Sequence, residues 1–250
     1  MANLAYKAER YEDLIQAMEN LAMLDEELSH EEKDLLVFSY RNVIAAKLAS
    51  IHNIKSIQNQ ELETNGSFVK QTIGYRHKVE HELGQICSRA INMIDKYLIP
   101  YSSTAENKGL YYTMKGDFYR YMAEIEAKSH KKKHEASALS IESYKHAMKI
   151  ADDELSVTHS IKLNAAYHLS VLLYEINQSP ERAFEVALEA LLDAVPKLEE
   201  MDVLGSTALS SLEKNIMGWS ADLPYAEEKY KENYEKKIEK DKSREKTVAR

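Results

Sequence analysis

The sequence predicts an all-α fold, and three observations carry that prediction. Only seven glycines and four prolines occur in 250 residues, so few chain breakers interrupt the secondary structure. Apolar residues recur at the spacing of a helix face, as in Leu36, Tyr40 and Val43. No segment shows the alternation of apolar and polar residues that is typical of strands. We therefore expect a stack of long antiparallel helices in a curved bundle or solenoid.

Local start and stop signals place the individual helices. Ser29 and Glu32 have the spacing of a capping box, and the segment that they open runs without Gly or Pro to about Glu63. A second long helix runs towards Ile99 and stops at Pro100. Glycines inside it weaken a helix, so tight packing is the expected reason for Gly74 and Gly84. Further helices are expected over residues 106–127, 135–151, 160–177, 179–195 and 203–220, with Ser179 as an N-cap before Pro180.

Composition excludes several classes of function. The formal net charge of −8 argues against a nucleic-acid coat, because nonspecific binding needs a basic surface. The single cysteine, Cys87, fits a reducing compartment. The first residues have no apolar signal segment, and nowhere do 18 apolar residues run together. We expect a cytoplasmic protein, with the nucleus as a second compartment, and neither nucleic acid nor membrane among its partners.

The last thirty residues differ from the rest in composition, which suggests a helical domain over 1–220 and a charged tail over 221–250. The tail is rich in lysine and glutamate and poor in aliphatic residues, so it is either disordered or a single helix held by pairs such as Glu232–Lys236. Arg244 stands three residues before Thr247, as basophilic kinases prefer, which makes Thr247 a candidate phosphosite. An ordinary solvated tail is the plainer interpretation.

Enzyme-like patterns are few. His77, Glu80 and His81 match the H-x-x-E-H pattern of a zinc peptidase, although a chance match on a charged helix face is the simpler explanation. His130 and His134 flank three lysines, which favours a solvated loop between helices over a metal or anion site. No nucleophile triad, P-loop or dinucleotide fingerprint is found, so we expect no enzyme and no cofactor.

A more specific signal comes from Arg120 and its neighbour Tyr121. A guanidinium offers a planar fork of donors suited to phosphate, and a tyrosine hydroxyl adds a short hydrogen bond. Arg41 lies on another long helix, and arginines converging from two helices would make a phosphate clamp.

The string Met114–Glu124 around this pair resembles the fifth helix of the 14-3-3 family, and the resemblance extends over most of residues 4–220. Further matches in family order are Ala8–Asp13, Leu35–Val43, Leu98–Pro100, Thr158–His159, Tyr174–Ile176 and Ser179–Pro180. The resemblance implies nine antiparallel helices in a cup, paired into a homodimer or heterodimer. It also implies a non-enzymatic adaptor that binds phosphoserine or phosphothreonine segments of client proteins.

Site residues follow from the resemblance, position by position. The dimer contacts carried over are Leu4, Ala8, Arg10, Asp13, Ile54, Ile57, Tyr75, Lys78 and Glu82. The phosphate ligands carried over are Arg41, Arg120 and Tyr121, with arginine replacing the usual lysine at 41. The peptide groove would include Leu48, His52, Lys115, His168, Val171, Glu175, Leu212, Asn215 and Trp219.

Several groove positions depart from the family pattern. Leu48 stands where the family has a third phosphate-binding basic residue, and Lys47 points about 100° away on the helix. His168 replaces a peptide-binding asparagine, and Thr113 replaces a lysine. We therefore expect a phosphopeptide reader with altered specificity. Two alternatives stay open: a member of the same fold that binds partners without phosphate or acts mainly through dimerisation, and an unrelated tetratricopeptide-like scaffold.

Overall fold

The computed structural model describes residues 1–24, 26–63, 68–126 and 129–221, together with Leu223, Glu228 and Glu232. Within these residues all regular secondary structure is helical, which confirms the predicted fold class. The α-helices are α1 (Ala2–Lys7), α2 (Tyr11–Ala22), α3 (His30–Glu63), α4 (Val69–Met93), α5 (Ala105–Ile125), α6 (His130–Glu154), α7 (Ser160–Val171), α8 (Pro180–Ala194) and α9 (Val203–Ser220). Among the described helices, none is both long enough and apolar enough to cross a membrane.

The capping box at the start of α3 is confirmed. The backbone N–H and hydroxyl of Ser29 both donate to the Glu32 carboxylate at 2.8 Å, and the Glu32 N–H lies 3.4 Å from the Ser29 hydroxyl oxygen. These bonds satisfy groups that the first helical turn leaves without partners. The cap therefore explains why this helix of 34 residues begins at His30.

The helices predicted to end near Ile99 and Asn177 do extend that far, but their last turns are not regular α-helix. The regular part of α4 ends at Met93 and continues as a π-helical turn over Ile94–Leu98, and α7 gives way to a second π-helical turn over Leu172–Ile176. The segment around His130 and His134 is helical and opens α6, so the loop interpretation was wrong. Pro180 does occupy the first turn of α8, but Ser179 makes no side-chain cap bond.

The expectation of tight packing at both α4 glycines is also wrong. A methyl group added at Gly74 would meet nothing within 4 Å, and one at Gly84 would make an ordinary contact of 3.6 Å with Ile125. The close approach occurs instead at Gly116 of α5, where an added methyl group would lie 2.5 Å from the Tyr144 ring. Of these three glycines, only Gly116 lies where the packing leaves no room for a side chain.

The described helices form two compact units, the first comprising Met1–Ser103 with Tyr121–Lys133. Its core lies where α3 packs against α2 and α4, and Leu14, Leu36 and Leu83 are fully buried there. Cys87 is buried in the same core, and burial raises the pKa of its thiol to about 12, as expected of an unreactive core residue.

The second unit comprises Thr104–Arg120 with His134–Arg250, of which only part of the last segment is described. Here α7, α8 and α9 pack against one another around buried leucines and alanines. The buried Lys162 is held by Asp152 at 2.6 Å and Asp193 at 3.1 Å. The boundary predicted near residue 220 stays a prediction, since most of 221–250, including Thr247, lies outside the described residues.

Candidate functional site

A cluster of polar side chains from α5, α6 and α7 lies within the second unit, around the carboxylate of Asp117. The Tyr144 hydroxyl donates to Asp117 Oδ1 at 2.7 Å. Arg120 Nη2 lies 4.0 Å from the same oxygen, and His168 Nδ1 lies 3.6 Å from it. One carboxylate oxygen therefore anchors a phenol, a guanidinium and an imidazole from three helices.

Close approach of α6 to α5 makes this cluster possible. Gly116 leaves room for the Tyr144 ring, because any larger residue would overlap with it. The Ser140 hydroxyl of α6 then donates to the Gly116 carbonyl at 2.7 Å, which fixes the two backbones at that distance. Sequence reasoning placed Arg120 in a site but missed Gly116, Ser140 and Tyr144. The only sequence signal for this close approach of the two helices was a glycine in the middle of a helix, one residue before Asp117.

Burial gives the cluster its electrostatic character. Tyr144 is fully buried, and burial followed by the Asp117 charge raises its pKa well above the ordinary value, so it stays a neutral donor. The Arg120 side chain is only 14% exposed and the Asp117 side chain 23%. A guanidinium held in this way beside a partly buried counter-charge has little conformational freedom left to lose.

Other residues assigned to the groove are found in the same unit, with different exposures. Lys115 and Val171 are half-buried, Glu175 is exposed, and Asn215 is half-buried with an amide nitrogen that makes no hydrogen bond within the described residues. Leu212 is fully buried in the core, so its assignment to the groove surface is corrected: it offers no area to a ligand. Trp219 is 8% exposed and stacks on Tyr174 with ring centroids 4.6 Å apart.

The ligand-binding residues assigned on α3, together with Tyr121 of α5, belong to the first unit. Arg41 and His52 are exposed, whereas Leu48 and Tyr121 are half-buried. Lys47 does not replace the missing basic residue, because its ammonium lies 2.7 Å from Glu82 and 3.9 Å from Glu12. Position 48 therefore contributes an apolar side chain, and the ammonium of the neighbouring Lys47 is paired with Glu82 and Glu12.

Comparison with known proteins identifies the relatives of this chain. The family model for the 14-3-3 protein matches residues 1–220. The chain belongs to the 14-3-3 family. It is 45% identical over 229 residues to the 14-3-3-like protein GF14-G of Oryza sativa subsp. japonica, covering 89% of this chain and 88% of the relative. The match to 14-3-3 protein 8 of Solanum lycopersicum is 41% identical over 229 residues, covering 90% and 87%.

A relative from a distant organism has a similar identity. The checkpoint signal transducer rad24 of Schizosaccharomyces pombe is 41% identical over 231 residues, which cover 90% of this chain and 85% of the relative. Family membership over this length makes the tetratricopeptide alternative wrong. It also makes this 14-3-3 chain an adaptor in signalling rather than an enzyme.

The residues that the 14-3-3 resemblance assigns to dimerisation lie in the first unit. Leu4, Ile57 and Tyr75 are 66%, 48% and 59% exposed, whereas Ile54 is buried within the chain at 8%. Large apolar side chains with this much exposure mark an interaction surface when they occur together. Dimerisation of this particular chain stays a prediction.

Charged residues assigned to the same 14-3-3 interface make contacts within the chain. Arg10 Nε lies 2.5 Å from Asp13, and Glu82 is paired with Lys47. The hydrogen bond from Lys47 is the largest cause of a lowered pKa at Glu82. An ion pair with a partner subunit would have to replace these internal pairs, so it would add little net energy.

The H-x-x-E-H string of α4 lines a cleft of about 820 Å³ in the first unit, opposite Met122 and Ile125. Within the described ranges, however, no three His, Cys, Asp or Glu side chains are grouped so as to hold a metal ion. His81 Nε2 lies 3.0 Å from the Gln85 amide, and Glu80 is paired with Arg76 at 3.3 Å. These side chains already have partners on their own helix face, so the zinc interpretation loses its support.

Proposed function

We propose that this chain is a dimeric 14-3-3 adaptor that binds phosphoserine or phosphothreonine segments of client proteins through Arg41, Arg120 and Tyr121. The observation that supports this most strongly is the setting of Arg120. Its guanidinium is held nearly buried beside Asp117, which is itself fixed by the Tyr144 hydroxyl. Such a preorganised cation binds a phosphate at a small entropic cost.

Specificity is expected to differ from that of family members with a basic residue at the position of Leu48. A hydrogen bond to a charged group is worth about 1.5–3 kcal/mol, so its loss weakens phosphate binding about ten- to hundredfold. A dimer that engages two sites on one client recovers much of this loss, because the second contact is intramolecular. Clients with two phosphorylated segments are therefore favoured.

A second candidate function is binding of partners without phosphate, through the same surface or through dimerisation. Leu48 favours it, and so does Thr113, which is buried with its hydroxyl donating to the Gly109 carbonyl at 2.9 Å. Thr113 therefore cannot act as the lysine that the family has there. On α9, an added side chain at Gly218 would meet nothing within 4 Å, so this part of the helix lacks an apolar wall.

Fluorescence titration of the full chain distinguishes the two functions. A labelled peptide of the R-S-x-pS-x-P type is titrated in parallel with its unphosphorylated twin. Micromolar binding that needs the phosphate and is lost in Arg120→Ala supports the first function. Arg182→Ala on α8 is the matched control, because it removes the same charge from an exposed position. Equal or absent binding of both peptides would leave only the second function.

Location and modification are two further properties that we propose. The single cysteine fits a reducing compartment, so we propose a cytoplasmic location, with the nucleus as a second compartment, which imaging of the tagged chain in cells would test. Phosphorylation of Thr247, three residues after Arg244, would place an anion on a segment able to compete for the groove. Mass spectrometry of the native protein that never finds this phosphate would remove the idea.

A further inference from the structure

The proposed function makes no use of the cleft of about 820 Å³ in the first unit. One wall of this cleft is α4, and the other is the last turn of α5, which contributes Met122 and Ile125. Cavities that bind small organic molecules have volumes of about 300–1,000 Å³ and combine apolar surface with a few polar groups. The cleft therefore has the dimensions of a small-molecule site.

Gly84 keeps the middle of the cleft open. Side chains four residues apart lie on the same side of a helix, so Glu80, Gly84 and Ser88 form one row along the α4 wall. This row faces α5, because a methyl group added at Gly84 would lie 3.6 Å from Ile125. That distance is an ordinary contact, so close packing is not the reason for the glycine. A longer side chain at position 84 would instead occupy the cleft.

The apolar surface beside this opening suits a planar ring. Met122 and Ile125 are both half-buried, so each keeps part of its surface for a ligand. A ring placed over Gly84 lies against Ile125, and a methionine sulfur makes favourable contacts with aromatic rings. We therefore expect the apolar part of the ligand to be aromatic.

The carboxylates that line the cleft already have cations of their own. Glu80 lies 3.3 Å from Arg76, and the two side chains are only 15% and 16% exposed. Glu126 lies 3.7 Å from Lys132. Both negative charges of the described lining are thus compensated, and they offer little repulsion to an anionic ligand.

Arg89 is less well paired than Arg76. Its Nε lies 3.6 Å from Glu19 Oε1, and its side chain is 60% exposed. The same carboxylate oxygen accepts the Tyr40 hydroxyl at 2.9 Å. Within the described residues the Arg89 guanidinium makes no other ion pair or hydrogen bond. Its remaining donors match the two oxygens of a carboxylate.

We propose that this cleft is a second binding site, which takes a small aromatic carboxylate. The ring lies over Gly84 against Ile125 and Met122, and Arg89 binds the carboxylate. The site is separate from phosphopeptide binding, because none of the residues that line it is assigned to the phosphate or to the peptide groove.

The experiment uses naphthoate as the probe and the neutral naphthalenemethanol as its twin. Each is titrated into the full chain by isothermal titration calorimetry. We expect naphthoate to bind about tenfold more tightly, because it adds a partly exposed charge-assisted hydrogen bond to the same ring contacts. Equal binding of the two compounds, or no binding of naphthoate, would overturn the proposal.

Filling the cleft tests where the ring lies. Gly84→Leu should weaken naphthoate binding at least about tenfold, because the leucine takes the space of the ring and its apolar contacts. Gly74→Leu is the matched control: it lies on the same helix, with open space around it and outside the cleft, and should bind as the native chain does. If Gly84→Leu lowers the melting temperature, Ser88→Leu fills the same row one turn later. Native affinity in a folded variant with a filled cleft would show that the site is wrong.

A charge variant tests where the carboxylate lies. Arg89→Gln should weaken naphthoate binding about tenfold and leave naphthalenemethanol unchanged, whereas Arg182→Gln, at an exposed position of α8, should change neither. If Arg120→Ala removes naphthoate binding instead, the carboxylate lies in the Asp117 cluster and the proposal is wrong. Phosphopeptide binding should be native in Gly84→Leu and Arg89→Gln, so failure of this inference leaves the proposed function as it stands.

Discussion

The surface of the first unit assigned to dimerisation and the Asp117 cluster of the second unit hold their charges in opposite ways. On the first surface, Arg10 is 69% and Asp13 51% exposed, and each is paired with a close neighbour on its own chain. In the cluster, Asp117 and Arg120 also lie three residues apart on one helix, but both are mostly buried, and Asp117 has further partners, Tyr144 and His168, on two other helices. Large apolar side chains are exposed on the first surface, whereas the aromatic ring of the cluster, Tyr144, is fully buried.

This difference indicates which interactions would supply the binding energy at the surface assigned to dimerisation and at the Asp117 cluster. Exposed ion pairs contribute little because water screens them, so association through the first surface depends on the apolar area that it covers. Buried polar groups are costly to leave without partners, so a few atoms of the cluster determine what binds there. The first surface should tolerate changes of charge and the cluster should not.

Loss of apolar area should have the largest effect. Burying a leucine side chain is worth about 1.5–3 kcal/mol, so Leu4→Glu should weaken dimerisation at least about tenfold. Analytical ultracentrifugation measures the change. Leu204→Glu on α9 is the matched control, since both leucines are 66% exposed in the chain. Equal dimerisation of both variants would contradict the assignment of the interface.

The next largest effect is expected for phosphopeptide binding, when a basic residue is restored on α3. Leu48→Arg should tighten phosphopeptide binding about ten- to hundredfold, because it adds a charge-assisted hydrogen bond of about 1.5–3 kcal/mol. Leu62→Arg adds the same charge to an exposed position on the same helix and should change the affinity far less. Isothermal titration calorimetry measures the phosphopeptide affinity of both variants. Equal affinities would mean that the added net charge, and not the position of Leu48, causes the effect.

A methyl group added at Gly116 should show how little space the cluster leaves. Its overlap with the buried Tyr144 ring should lower the free energy of unfolding by about 1–3 kcal/mol, as overpacking usually does. Gly74→Ala on α4 has open space around it and should instead raise stability by up to about 1 kcal/mol. Urea denaturation measures both, and a stable Gly116→Ala variant would refute the close approach of α5 and α6.

Removing a surface ion pair should have the smallest effect. In Lys47→Met the pKa of Glu82 should rise towards its ordinary value, because Lys47 is the main cause of its lowering. The sign for stability follows: the pair contributes above the ordinary carboxyl range and is lost as the pH falls through the lowered pKa. NMR titration of the Glu82 carboxyl measures the shift, and Lys55→Met serves as control. Dimerisation should hardly change.

Some features of the candidate site follow from the sequence, and the features that do not have a common cause. The candidates Arg120, Tyr121 and Arg41 come from a local string and its resemblance to a family, and their role in binding phosphate stays a prediction. The burial of Leu212 does not follow from the sequence, since a leucine on α9 looks the same in sequence whether it faces a groove or the core. The role of Lys47 was equally hidden, because its partner Glu82 is 35 residues away.

The sequence by itself determined the helical class, the start of α3 and the family of the chain. These depend on residues within one or two turns of each other, where spacing alone fixes which side chains meet. Only the tertiary structure decided that Tyr144 and His168 share the carboxylate of Asp117. That contact depends on how closely separate helices pack, and close packing is a property of many distant residues at once.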